Sequence, residues 1–344
     1  MSTSEIKVDK LTPTVGTALE LNATTLTGTG FTYVNNLIET TVDKHNYIIN
    51  GNFDFWQRGT SLAVTNALVY KCDRWWVYAT NSAVTVARIA STDPNSTYAA
   101  RIYATGSQGA SQDIIIRQSL ESVNLIPIVG KAVTVSFRYR NVVNATNVWG
   151  LNAFYDTGTA NLINPTTLID FTAIPNSASW ATFTHTFTIP ANALSFSISI
   201  ETLSNAVINA EIQISKVMLN EGSIAAPFRL AGGDYAGELN KCLRYYYKSI
   251  TNDYSMLCST TTTWLNGGVK FPAPMRNNSV NVTLRDDAGL SNHVRRTDTG
   301  ASIALTTPTY LYLTNMGFSL LINGGASFVQ PYQYDFILEL DNEL

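Results

Sequence analysis

Charge is scarce in this sequence. Asp, Glu, Lys and Arg make up 14% of its 344 residues, against about 25% in ordinary soluble domains. The net charge is −3 and the isoelectric point about 5.6, so no basic field gathers phosphates and nucleic acid is not an expected partner. Histidine is reduced to His45, His185 and His293, far apart in sequence, which speaks against a zinc site. Cysteine is reduced to Cys72, Cys242 and Cys258. An odd number without a CxxC pair reads as buried thiols rather than a disulfide framework. No apolar run approaches the ~18 residues of a membrane span, and "MSTSEIKVDK" lacks the apolar centre of a signal peptide. No cofactor motif stands out: GxSxG, HExxH and the phosphate-binding loop are all missing. "GTG" and "NGG" read as turns without a following helix.

What is present is Asn, Thr, Ser and β-branched residues, a composition suited to extended structure. Hydrophobic residues are 45% of the chain, enough to bury a core. Residues 1–46 read apart from the rest, with short alternations such as Ile6/Val8 and Leu19/Leu21 broken by turn residues. They carry too few apolar side chains for a core of their own, so the segment is either a flexible arm or one that docks on a partner.

From Tyr47 to about Leu230 strand follows turn follows strand. In "AVTVSFRYR", Val133, Val135, Phe137 and Tyr139 share one face, and Thr134, Ser136, Arg138 and Arg140 the other. "ATFTHTFTI" places Phe183, His185, Phe187 and Ile189 together, and "LSFSISI" turns Leu194, Phe196, Ile198 and Ile200 inward. One wet and one dry face is the pattern of antiparallel sheets, and so many strands predict a β-sandwich or jelly roll. Between 233 and 249 the period changes. Leu239, Cys242, Leu243 and Tyr246 fall at helical spacing, with Asp234 as N-cap and Glu238 in the first turn. Strands then resume. The expected fold is mainly β: an extended arm (1–46), an antiparallel sandwich (47–231), and one helix followed by a C-terminal β-module (232–344).

Tryptophan is concentrated in "INGNFDFWQRGTS" (49–61) and "CDRWWVY" (72–78). Trp75 and Trp76 are neighbours on a strand and must face opposite sides. Two readings stay open. The rings fill the sandwich, with their N–H groups satisfied, or they stack against sugar while Asn52, Asp54, Arg58 and Arg74 hold hydroxyls. The candidate ligand-binding residues are Trp56, Arg58, Trp76, Trp149 and Tyr155; Tyr103 and Tyr139 are further sheet aromatics for which core is the simpler reading. The consecutive Tyr245, Tyr246 and Tyr247, read as helical, fan over about 200° of the helix. Together with Leu239 and Leu243 they form a candidate oligomer interface, which points to a homotrimer; burial between the two β-modules of one chain is the other reading. Glycan-cleaving chemistry would need paired carboxylates about 5–10 Å apart. Asp113, Glu121, Asp156, Asp170 and Glu201 are the acids available, without a motif that pairs them.

The blocks "NGNFDFWQRG" (50–59), "CDRWW" (72–76), "KVMLNEGSIAAPFR" (216–229), "GELNKCLRYYYK" (237–248), "FPAPMR" (271–276) and the closing Phe336–Leu344, in that order, resemble a bacteriophage tail-protein family. The middle region is also similar to carbohydrate-binding-module jelly rolls, and "KVDKLTPTVGTALEL" to N-terminal segments of phage fibre and collar proteins. The resemblance implies a homotrimeric virion fibre or adhesin, made in the host cytoplasm and released by lysis. It would be attached to other virion proteins by residues 1–46, with host-surface polysaccharide as the expected ligand. A head-decoration fibre or tail adaptor without a receptor, and a glycan depolymerase, are the alternatives. Modules of this kind often hold a calcium ion through an acidic residue in an "I-D-x-V-x-L" strand; here that strand is "ISKVML" with Ser215, so no metal is expected.

Overall fold

The alternation read from the sequence becomes two six-stranded antiparallel sheets in the computed structural model. It describes residues 44–344 apart from 66, 80–82, 106–113, 142–148, 159–164, 203–209, 251–253, 258–263, 306, 324–327, 329–331 and 344. Asp43–Leu344 forms one compact unit. The arm up to residue 43, Asp113 and Cys258 lie outside the described residues.

The first sheet runs in the order β1 (Ser61–Val64), β4 (Val84–Ala90), β5 (Tyr98–Ala104), β12 (Glu211–Glu221), β7 (Ala132–Asn141), β10 (Ala181–Thr188). The second runs β2 (Leu68–Cys72), β3 (Trp75–Ala79), β6 (Ile114–Leu120), β11 (Ser195–Thr202), β8 (Trp149–Asp156), β9 (Thr166–Ala173). Their inner faces make one core in which Val133, Val135, Phe137 and Tyr139 of β7 meet Phe196, Ile198 and Ile200 of β11. Leu194 does not join them. It precedes the strand and is 47% exposed. A short helix α1 (Ser122–Leu125) and a 3-10 turn (Ile126–Ile128) follow β6, unannounced by periodicity because each is a single turn.

The second helix, α2 (Tyr235–Leu243), starts where its capping residue predicts: the Asp234 side chain accepts from the Gly237 N–H. It ends sooner than the sequence suggests. Tyr246–Lys248 is a strand, β13, paired with β21 (Gln333–Asp341). Pairing with the last strand outweighs the helical spacing of Tyr246, because the ladder satisfies backbone groups that one further helical turn would satisfy only locally. Strand β21 is the hub of the C-terminal module. It pairs with β13, β14 (Tyr254–Leu257), β16 (Asn281–Arg285) and β17 (His293–Arg296), the last carrying β18 (Ser302–Ala304). Strands β15 (Trp264–Lys270), β20 (Gly317–Asn323) and β19 (Thr307–Thr314) form a separate sheet. Met275, Leu284, Val294, Phe336 and Leu338 fill this module's core.

The three tyrosines therefore do not share a helix surface. Tyr245 and Tyr246 are fully buried within one chain, and Tyr247 packs against the C-terminal core. Leu243 is 9% exposed and Leu239 joins a small cluster of Ile49, Phe55, Ala231, Cys242 and Tyr245 between the larger cores. Tyr245 and Tyr246 need no second copy to cover them, whereas Leu239 and Tyr247 stay half-buried. No described helix is long and apolar enough to cross a membrane.

Candidate functional site

Apart from Trp76, the tryptophan-rich blocks resolve into a junction rather than a binding platform. Asn50, at φ 55°, uses its side-chain amide on the Phe55 and Asp73 carbonyls (2.9 and 3.0 Å) and accepts from the Phe55 N–H. Its backbone N–H donates to Glu238 of α2. Gly51 has no alternative: a Cβ there would sit 2.0 Å from the Val217 carbonyl oxygen. Gln57 donates to Asp73 (2.7 Å) and to the Tyr246 carbonyl (3.0 Å). Arg58 lies 3.4 Å from the Tyr246 ring centre and Arg74 3.5 Å from that of Tyr245. Both guanidinium groups reach Glu343, at 3.3 and 2.5 Å, and Arg58 also reaches Asp341 at 3.1 Å. Arg276 donates to the Asn342 carbonyl at 3.2 Å. Thus the blocks 50–59, 72–76, 237–248, 271–276 and the closing segment meet at the seam between the C-terminal module and the sandwich, and block 216–229 touches Gly51 from the sandwich side.

Electrostatics at the seam follow from burial. Desolvation pushes the Asp73 carboxyl up to about 6 against the pull of Gln57 and Arg58, and the Tyr245 phenol up to about 12. Burial alone would lower both arginines, but Glu343 acts on each, with Asp341 added at Arg58 and Tyr245 at Arg74, and both finish above their ordinary value. Burial pushes the Cys72 and Cys242 thiols far up, so both are inert packing groups.

Four of the five ligand candidates are taken up by the core or the seam. Trp56 is 6% exposed and its N–H donates to the Phe53 carbonyl at 2.8 Å. Trp149 is 2% exposed in the core. Arg58 belongs to the seam. Tyr155 lies opposite Phe196 on the inner side of its sheet and packs on the core. Trp76 is different. Trp75 takes the core at 0% exposure, which turns Trp76 outward on the second sheet, half-buried.

The outer face around Trp76 is the best candidate site. Register places Trp76, Arg117, Ser199 and Asn152 in one row across β3, β6, β11 and β8. The Arg117 guanidinium lies 4.9 Å from the Trp76 ring centre and 4.1 Å from that of Phe154. Glu201 is 3.8 Å away and accepts from Ser199 at 3.2 Å. The Arg117 Nε and the Ser197 hydroxyl are buried without a hydrogen-bond partner. Burial lowers the pKa of Arg117 while Glu201 opposes it. Phe171, at φ 47°, sends its ring across Gly150, where a Cβ would sit 2.4 Å from it. The result is a patch where the half-buried Trp76 and Phe154 rings flank the Arg117 guanidinium with Glu201 beside it, while Ser197 and Ser199 are fully buried; a sugar ring can stack on the exposed part of the indole. Sequence reasoning found Trp76 but missed Arg117 and Phe154. Their outward phase on β6 and β8 was the available signal.

Asp156 and Glu201 do not pair. Asp156 lies opposite Ser195, six residues from Glu201 along β11, or about 20 Å at ~3.3 Å per residue, too far for a glycosidase pair. Glu121 is held by Arg244 at 3.2 Å, and Asp170 is exposed on β9. Ser215, at the position implied for a calcium ligand, lies opposite Arg138, a neighbour that repels a cation. A separate groove of about 600 Å³ is lined by Phe55, Trp56, Tyr235, Leu239, Leu243 and Tyr247, so the expected interface leucines border it.

No family model and no curated protein matches the sequence. Among solved structures the chain is similar to the enzymatically active domain of bacteriophage CBA120 tailspike protein 4, at 14% identity and a TM-score of 0.35, over 52% of this chain and 21% of that one. The chain thus spans about a fifth of the tailspike chain. It is also similar to a xylan-binding domain from Paenibacillus barcinonensis (11% identity, TM-score 0.33, 54% of this chain and 100% of that one). A third is the family 11 carbohydrate-binding module from Clostridium thermocellum (13% identity, TM-score 0.34, 48% and 97%).

Proposed function

We propose that this chain is a non-catalytic glycan-binding subunit, a fibre or adhesin of a virus particle, that presents the Trp76–Arg117–Phe154 face of its sandwich to a surface polysaccharide. The observation that carries the reading is Arg117, its guanidinium set between the Trp76 and Phe154 rings with Glu201 beside it. A sugar ring laid on Trp76 would accept from Arg117 through one hydroxyl and donate to Glu201 through the next. The contact is shallow, so affinity per site is weak and several copies on a particle supply avidity. The ordered sequence blocks support the virion assignment, and residues 1–46 serve in this reading as the attachment segment.

The test is a glycan array and affinity electrophoresis with the full chain, followed by Trp76→Ala and Arg117→Met. Binding should fall about tenfold or more in each variant, the loss of ~1.4 kcal/mol, with the melting temperature close to the parent. Retention of full affinity by Trp76→Ala, or no glycan bound at millimolar concentration, refutes the assignment of this face.

A further inference from the structure

The opposite side of the sandwich carries an arrangement of another kind. On the outer face of the first sheet, Arg101 of β5, Gln213 of β12 and Arg140 of β7 stand in one row, and Ser215 and Arg138 stand in the next. Arg101 and Arg140 are two strands apart, about 10 Å, and Arg138 and Arg140 two residues apart, about 7 Å. Lys216 joins them from a bulge in β12, where its φ is 54° and the register shifts. A non-glycine residue held at positive φ is costly and re-aims its side chain.

These cations are unevenly neutralised. Arg101 pairs with Glu211 at 2.7 Å and Arg138 with the buried Asp93 at 2.9 Å. Among the described residues Arg140 has only the Thr92 hydroxyl, at 3.3 Å, and its Nε is shut off from solvent without a partner. The same hydroxyl accepts from the Trp180 indole N–H at 2.9 Å. Tyr139 pairs with Ala181, so Trp180 follows on beside Arg140 at the sheet edge. One threonine hydroxyl therefore takes both the half-buried indole N–H and the guanidinium, which sets Trp180 and Arg140 side by side.

We infer that Trp180, Thr92 and Arg140 form a second saccharide site, for a sugar bearing a carboxylate. The ring of a uronate stacks on Trp180, and its carboxylate accepts from the terminal N–H groups of Arg140 that Thr92 does not use, with Arg138 and Lys216 adding to the field. The chain as a whole is acidic, at net −3, so four cations against two carboxylates on one face are a local reversal rather than a general attraction for anions. The site is on the other sheet from Trp76, and its success or failure is separate from that of the Trp76 face.

The experiment is affinity electrophoresis of the full chain through gels containing polygalacturonate or alginate, with an uncharged mixed-linkage glucan and dextran sulfate as comparison polymers. Uronate should retard the protein, less so as salt is raised. Arg140→Met and Trp180→Ala should each weaken uronate binding about tenfold. Arg117→Met should leave it within about twofold. Arg140→Lys keeps the charge and the fold while removing the fork, and should fall between. No retardation by either uronate, retention of parent affinity by Arg140→Met and Arg140→Lys, or equally tight binding to dextran sulfate that ignores Trp180→Ala would each overturn the inference.

Discussion

Glu343→Ala is the sharpest test of the seam. The Glu343 side chain is 4% exposed and its partner Arg74 2%. Its carboxylate accepts from the Arg74 guanidinium and backbone N–H and from Arg58. Removing it strands a guanidinium that cannot deprotonate, with only the Ser119 carbonyl (2.6 Å) and the Tyr245 ring left to it. Asp341 cannot substitute, since it reaches Arg58 alone and is 42% exposed. Breaking a buried pair in this way costs about 3–5 kcal/mol, a large share of the ~5–15 kcal/mol that holds a domain folded. Glu343→Gln, which keeps shape and one acceptor, should cost about half as much. The double variant Arg74→Met/Glu343→Leu should regain most of the loss, because no unpaired charge remains. Urea unfolding followed by fluorescence measures the totals. Hydrogen exchange gives the location: β13 and β21 should lose protection ahead of β7. A loss below about 1 kcal/mol, the value of an exposed pair, would refute the seam as described.

Trp75→Ala should cost about 3–5 kcal/mol as a large core cavity, whereas Trp76→Ala should cost about 1 kcal/mol or less; thermal melts of the two neighbours decide between opposite and equivalent roles. Gly51→Ala drives a methyl into the Val217 carbonyl and should destabilise by several kcal/mol, comparable to severe overpacking, read from its yield and urea midpoint. Asp73 sets a pH signature. Its carboxyl is raised to about 6 in the folded chain against ~3.9 when unfolded, so between pH 4 and 6 the folded state holds the extra proton and this group's contribution falls as pH rises. About two pH units correspond to roughly 3 kcal/mol. The stability of the parent relative to Asp73→Asn should decline across that window, and a flat or rising difference curve contradicts the assignment.

The sandwich was legible because its signal is local. Period-two alternation in β7, β10 and β11 states which side chains meet water, and register then follows from keeping one face dry. The cap of α2 was legible for the same reason, as one carboxylate finds one nearby N–H. Its end was not, because what stops it is β21, some 90 residues away in sequence. Nothing in "LRYYYK" by itself says that Tyr246 will oppose Asp341. The aromatic face around Trp76 was half legible. Alternation sends Trp76 outward once Trp75 is taken by the core, but only the pairing of β3 with β6 and of β11 with β8 brings Arg117 and Phe154 to its side.

The signature blocks themselves show how easily residue type misleads about role. Trp, Arg, Asp and Asn in close order are what a sugar site requires, and they are equally what a buried joint between two β-modules requires. Burial separates the two cases. A joint must satisfy every polar group internally, and Asn50, Gln57, Asp73 and Glu343 spend their donors and acceptors on backbone and on one another. A binding face must hold something back. Arg140 does so with no carboxylate partner among the described residues, and Arg117 has only Glu201, at 3.8 Å; each stands near an indole on an outward strand or strand edge. The ligand chemistry proposed for this chain is therefore to be sought on the two outer faces of its sandwich, where of the tryptophans in the signature blocks only Trp76 points.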